Sequence, residues 1–299
     1  CIDAIPDAKP VPTFAGIALS LCFDAIPDAK PVPAFAGIAL SLCIDAIPDA
    51  KPVPTFAGIA QERCFMITLY GVTRSRAARN IWLLNELGQG YKQVPVVQAN
   101  RLANPNAPDA PLHTRSAAFL AINPNGHVPS MVDGDLVLHE SMAINLYLAK
   151  KYGGPLASAS LAEDGLITMW TIWAITELEP HAIQIMFHRA MKPVEERVPA
   201  IADAAIAALH APFGVLSKAL EGNGYVVGGR FTVADLNLAE VVRYAAFAPE
   251  LMAAFPVIKN WLAACHARPA FQAMWAQREA EPMLEIAERP VGLRKITQG

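Results

Sequence analysis

The chain has 299 residues, 54% hydrophobic and 17% charged, enough apolar material for one large or two modest domains and too much for a disordered or collagen-like chain. Its 24 basic and 27 acidic side chains give a formal net charge of −3; with no cationic surplus to release counterions from a phosphate backbone, nucleic acid is a poor partner. No run of 18 residues is both free of charge and apolar enough to span a bilayer, so no membrane partner is expected either.

Residues 1–65 are set apart by an internal repeat. Residues 1–21 read CIDAIPDAKPVPTFAGIALSL, residues 22–42 repeat them with only Phe23 and Ala34 changed, and residues 43–60 repeat the first 18 positions unchanged. The 21-residue period spaces Cys1, Cys22, Cys43 and Cys64 equally, so four of the five cysteines belong to the repeat. Cysteine count therefore argues for neither a disulfide framework nor a zinc site. Each unit holds three Pro and lacks the Leu and Asn ladder of a solenoid, and near-copies with Asp-bearing flanks do not make a secretory signal. The first Met is Met66. The segment reads as upstream DNA translated from a misplaced gene start, or as a genuine but disordered extension.

From Met66 the pattern changes to short β-like runs alternating with helical ones, the mark of an α/β unit. Ile67–Tyr70 reads as a strand ended by Gly71, and Ser75–Leu87 as an amphipathic helix with Ala78, Ile81, Trp82, Leu84 and Leu87 near three-four spacing. Val94–Val97 reads as a second strand, at an edge because it contains Pro95. A Pro- and Asn-rich loop over 99–112 precedes a short helix over 114–122. Val128–Val132 and Leu136–His139 are strands joined by Asp133-Gly134-Asp135, a strong hairpin signal. Glu140–Lys151 is a helix stopped by Gly153-Gly154-Pro155. From residue 161 no strand pattern competes: 161–190, 201–220, 233–248 and 256–267 all read as helices. Phe231-Thr232-Val233-Ala234-Asp235-Leu236 marks one helix start, with Thr at N-cap and an acid at N3.

Three stretches in order, LYGVTRSRAARNIWLLNELG, INPNGHVPSMVDGDLVLHESMAINLYLAKKYG and GGRFTVADLNLAE, resemble the cytosolic glutathione transferases of the serine, theta-like type, over residues 66 to about 285. The middle stretch, N-P-x-G-x-V-P followed by E-S, is the most specific. The resemblance implies a thioredoxin-like α/β domain over 66–152 and an all-helical domain over 160–299. It further implies a cytoplasmic homodimer that uses reduced glutathione as co-substrate, with no metal, and conjugates it to a small apolar electrophile.

Residue by residue, the resemblance assigns the thiol contact to Ser75, in the S-x-x-x-R arrangement Ser75 to Arg79. Thr73 is the competing hydroxyl, and an ordinary helix cap is the plain use of Ser75. Pro129 is kept in cis in the family, which turns Val128 outward so that its N–H and C=O pair with the cysteinyl part of glutathione like one more strand; a strand-start Pro with no ligand is the plain alternative. Glu140 and Ser141 open a helix, where free N–H groups and the dipole favour the γ-glutamyl carboxylate and Glu140 accepts from its ammonium; both are also common cap residues. His127 stands where family members often carry Lys or Gln toward the glycyl carboxylate.

No Cys occurs between Met66 and Ala264, which disfavours glutaredoxin-like chemistry through a protein thiol. His139-Glu140 lacks a second His at position 143, so the zincin motif fails. Met169, Trp170, Trp173, Phe187 and Met191 are either plain core or the lining of an electrophile pocket. The rival to an enzyme is an interaction module that keeps this scaffold without turnover.

Overall fold

The computed structural model describes residues 66–282; the repeats at 1–65 and the chain beyond 282 lie outside the described residues. Strand β1 (Ile67–Tyr70) buries Ile67 and Leu69. It pairs in parallel with β2 (Tyr91–Val94) and antiparallel with β3 (Ser130–Asp133), and β4 (Leu136–His139) pairs antiparallel with β3. The order is β2-β1-β3-β4. Helix α1 (Ala77–Glu86) makes the crossover that parallel strands require. A short turn, α2 (Ala117–Leu120), lies in the long connection to β3, and α3 (Ser141–Tyr152) follows β4.

Three boundaries correct the sequence reading. The second strand is Tyr91–Val94, not Val94–Val97; it stops before Pro95, and as an outer strand it accepts the polar Lys92 and Gln93. Beyond it Val97 forms only an isolated bridge to His113. The helix over 114–122 shrinks to four residues because Thr114 and Ser116 accept from the amides of Ala99 and His113. Strand β3 begins at Ser130 rather than Val128, since Pro129 has no N–H to give.

Beyond α3 the regular structure among the described residues is all helical. Leu161 to Met191 runs without a break as α4 (Leu161–Trp173), a π-helical stretch, α5 (Glu179–Met186) and a second π-helical stretch. The first widening lies just before Pro180, which cannot donate to the helical ladder. Helices α6 (Pro199–Leu220), α7 (Val233–Ala245), α8 (Pro249–Ala254), α9 (Pro256–His266) and α10 (Pro269–Ala280) follow. Four of these five open on Pro, whose missing N–H costs nothing at a helix start. Helix α6 is long and apolar enough to cross a membrane by length and composition alone, although Asp203 and Lys218 lie within it. Its Leu209, Phe213 and Leu216 form a buried face that packs on α5 and α9, while only 28% of its most apolar stretch is buried.

At α7 the expected capping box is present: the Thr232 N–H donates to Asp235 Oδ2 at 3.0 Å, and Thr232 Oγ1 accepts from Ala234 at 3.3 Å. Asp235 also accepts from the Val226 amide and Trp261 Nε1. The α/β and helical parts share one core cluster. Trp82 of α1 stands at its centre, edge-on to Phe271 at 4.9 Å and tilted against Phe231 at 6.1 Å. His266 stacks on Phe271 at 4.1 Å, and burial pushes its pKa down to about 4.

That burial couples folding to pH. The unfolded imidazole takes a proton near pH 6.5 and the folded one only near 4, so the unfolded chain binds more protons between these values and stability is lost as pH falls through the window. Urea unfolding should show the parent losing up to about 1.4 kcal/mol per pH unit from this group below pH 6.5. His266→Phe keeps the stacked ring and should lack that part of the acid sensitivity; an equal loss in the variant would contradict the account.

Candidate functional site

Strand register gathers the sequence-marked residues. Tyr70 pairs with Ser130, and Ser130 with His139, so one row crosses β1, β3 and β4. The next residues along each strand in that direction are Gly71, Pro129 and Glu140, which therefore lie together at one end of the sheet. Gly71 has φ +143°. A Cβ there would meet Ala77 Cβ at 3.0 Å, and Ser75 Oγ and Val128 Cβ each at 3.5 Å. Glycine is required at this point by that positive φ and by the close Ala77 Cβ, while Ser75 and Val128 lie at ordinary contact distance.

Ser75 is half-buried. Its hydroxyl donates to the Val72 carbonyl at 2.7 Å and accepts from the Ala77 N–H at 3.1 Å. Thr73 is wholly buried, and its hydroxyl accepts from Gln93 Nε2 at 3.3 Å. Of the two residues, only Ser75 has exposed surface. Val128 is half-buried, the Val128–Pro129 bond is cis, and among the described residues the Val128 N–H and C=O have no hydrogen-bond partner. The loop before it is pinned by Asn123, whose Nδ2 donates to the His127 carbonyl at 2.8 Å and to Ser130 Oγ at 3.0 Å. His127 itself is exposed, and its ring makes no hydrogen bond among the described residues.

Glu140 is exposed and has φ +66°, a left-handed conformation rare for a residue with a Cβ and found mostly where function requires it. It heads α3. Ser141 opens that helix, is buried, and accepts through Oγ from Arg79 NH1 at 3.2 Å. Arg79 also donates to Glu179 Oε1 at 2.7 Å and to the Tyr244 hydroxyl at 3.4 Å. Its side chain is only 1% exposed. Burial acts against its charge, but the facing Tyr244, Glu179 and Glu240 outweigh it and raise its pKa above the ordinary arginine value. Glu179 shows the matching effect: burial opposes its charge, yet Arg79 and Arg76 hold its carboxyl below the usual range.

The site thus brings Ser75, Val128, Pro129, Glu140 and Ser141 to one sheet end and leaves the His127 ring free in solvent. The aromatic and Met group divides. Trp170 is buried edge-on against Trp173 at 5.1 Å, while Met169, Phe187 and Met191 are exposed. Among the described residues no group of three His, Cys, Asp or Glu stands close enough to hold a metal ion.

Two family models match this chain: glutathione S-transferase, N-terminal domain, over residues 69–156, and glutathione S-transferase, C-terminal domain, over residues 178–269. The chain belongs to the glutathione S-transferase family. Glutathione S-transferase 3 of Zea mays is 34% identical over 218 residues, covering 69% of this chain and 91% of the relative. Glutathione S-transferase GstB of Escherichia coli K12 is 34% identical over 181 residues, 59% of this chain and 82% of the relative. Among solved structures, the theta class glutathione S-transferase of Xanthomonas axonopodis pv. citri with glutathione bound is similar at TM-score 0.58 and 30% identity, covering 69% of this chain and 95% of that one. The fold is accordingly the glutathione transferase fold, a thioredoxin-like mixed sheet followed by a helical domain, and the activity of the family is transfer to glutathione.

Within this glutathione S-transferase, sequence reasoning gave Arg79 a place in a motif but no role, and it missed Glu179. Arg79 is the buried fork between them, tying Ser141 to the helical domain. Arg79→Ala should destabilise the fold by about 1–3 kcal/mol in urea unfolding, because Ser141 and Glu179 lose a buried donor while Arg76 still pairs with Glu179 at 2.9 Å. Arg79→Lys should recover only part of that, since a point charge cannot serve Ser141 and Glu179 together; parent stability in Arg79→Lys would contradict the fork.

Proposed function

We propose that this glutathione S-transferase uses Ser75 to stabilise the thiolate of glutathione and delivers it to a small apolar electrophile. In this reading the cysteinyl backbone of glutathione pairs with the free N–H and C=O of Val128 beside Pro129. The γ-glutamyl carboxylate meets the first N–H groups of α3 at Ser141, its ammonium meets Glu140, and the glycyl carboxylate reaches toward His127. The supporting observation is that Ser75 Oγ and Val128 Cβ both lie 3.5 Å from where a Cβ on Gly71 would stand. A cysteine whose main chain pairs with Val128 carries its sulfur within a side chain's length of the Ser75 hydroxyl. The strained backbone of Glu140 supports a ligand role over a cap, which needs no such conformation.

Chemically, the bound thiol gives its proton to solvent, and the Ser75 O–H donates to the sulfur that remains. The thiolate lone pair then forms the new C–S bond as the electrophile's leaving group departs with the electrons of the bond that breaks. Ser75 must first turn its proton away from the Val72 carbonyl, and a charged acceptor competes well because such hydrogen bonds are about twice as strong as neutral ones. Its acceptor bond from Ala77 can persist meanwhile. The Val72 bond is also what favours the second reading, an interaction module in which Ser75 only caps its turn.

The active unit in this reading is a cytoplasmic homodimer whose glutathione-binding half is residues 66–152 and whose helical half is residues 160–299. Exposed Leu136 and Val137 on β4, and Leu166, Met169 and Ile172 on α4, are apolar side chains that a second copy would cover.

Ser75→Ala separates the two readings. Glutathione affinity should change little, while turnover at neutral pH should fall by roughly tenfold to a hundredfold for the loss of about 1.5–3 kcal/mol, with part of the loss recovered at higher pH. An unaltered rate and pH profile would favour the module, and the same loss in Thr73→Ala would move the role to Thr73.

A further inference from the structure

The last described helix, α10, ends at Ala280, and the next side chain reaches back onto the turn that carries Ser75. The Glu281 carboxylate accepts from two successive backbone N–H groups, Thr73 through Oε1 and Arg74 through Oε2, each at 2.8 Å. The contact is returned from both sides. Arg74 Nε donates to the Glu281 carbonyl at 3.1 Å, and Arg278 NH1 donates to the Thr73 carbonyl at 2.8 Å. Residues 72–76 lie between the end of β1 and the start of α1, so neither ladder nor helix serves these groups, and among the described residues the Thr73 and Arg74 amides have no backbone acceptor. Thr73 is wholly buried. A buried N–H left without an acceptor is costly, so the carboxylate decides which conformation this turn keeps.

We propose that Glu281 is a positioning residue for thiol activation: by chelating the Thr73 and Arg74 amides it holds the turn in which the Ser75 hydroxyl faces the sulfur. The inference rests on the role assigned to Ser75 above. It makes the thiol turn answer to the far end of the helical domain, more than two hundred residues away in sequence. A carboxylate close to a developing thiolate also opposes that charge directly. Its two effects therefore have opposite signs and can be told apart. Acting through charge alone, Glu281 raises the thiol pKa, and its removal would lower that pKa. Acting by holding Ser75, it lowers the pKa, and its removal would raise it.

The test uses the full chain with glutathione and chlorodinitrobenzene. Glu281→Gln leaves a single carbonyl oxygen for two amides, so kcat should fall by about tenfold, the worth of one charge-assisted hydrogen bond. KM for glutathione should change less than about twofold, and the bound thiol pKa should move up. Glu281→Asp keeps both oxygens and should recover part of kcat; if Glu281→Gln fails to fold, the same upward displacement, smaller, is expected in Glu281→Asp. Amide hydrogen exchange at residues 73 and 74 should quicken in either variant. In a Ser75→Ala background, Glu281→Gln should add less than about a twofold further loss. A lowered thiol pKa, or parent kinetics beside quickened exchange, overturns the proposal, as does an undiminished tenfold loss in the Ser75→Ala background. A loss in Ser75→Ala beside a silent Glu281→Gln overturns this proposal alone, whereas a silent Ser75→Ala overturns the Ser75 role and this proposal with it.

Discussion

A guanidinium with almost no exposed surface is stable only where its donors find partners, because taking an ion out of water costs several kcal/mol even after relaxation. Arg79 meets that demand with its two terminal nitrogens, NH1 reaching Ser141 on α3 and NH2 reaching Glu179 and Tyr244 of the helical domain, while its buried Nε has no partner among the described residues. Its neighbour Asn80 continues the seam, donating to the Ser141 carbonyl and to Asn145, which donates to Asn237 and that in turn to Thr171. Apolar packing around Trp82 supplies the bulk of the attachment, but it is indifferent to small shifts. The polar seam is directional, and it fixes the start of α3 against α4, α5 and α7. Everything asked of Glu140 and Ser141 depends on that placement.

Much of this was legible in the sequence where local chemistry and tertiary context agree. The Gly134 hairpin, the Thr232–Asp235 cap and the strand at Leu136–His139 needed only turn residues, a capping pair and period-two patterning. Polar residues on an outer strand defeated the placement of β2, since Tyr91 to Gln93 lack the apolar signal that hydrogen bonding to β1 makes unnecessary. Helices α8 and α10 escaped because they are short or weakly amphipathic, with Pro at the start where a breaker is easily assumed. The site followed the same division. Ser75, Val128, Pro129, Glu140 and Ser141 sit in a contiguous motif or beside a turn. Glu179 and Glu281 carry no local signature; only the fold brings them to Arg79 and to the Thr73 amide, about one hundred and two hundred residues away.

The arrangement divides labour between firmness and freedom. Thr73, Asn80, Ser141 and Asn145 are buried and bonded, while Ser75, Val128 and Glu140 keep surface, free backbone groups or strain at the same sheet end. A tripeptide laid across that end would satisfy the Val128 N–H and C=O and the free amides of α3, leaving its sulfur beside a hydroxyl whose other bonds hold the turn in shape. Catalytic power on this account comes from preorganised donors around a sulfur and requires no protein thiol.

The central claim is that binding here makes glutathione a thiolate, and ultraviolet difference titration of glutathione bound to the full chain measures it directly. A free thiol titrates near pH 8.5. The account predicts that the bound thiol titrates about one to two units lower, the effect of one charge-assisted donor aided by a helix terminus. A bound thiol titrating at or above the free value, with glutathione shown to be bound, would contradict it.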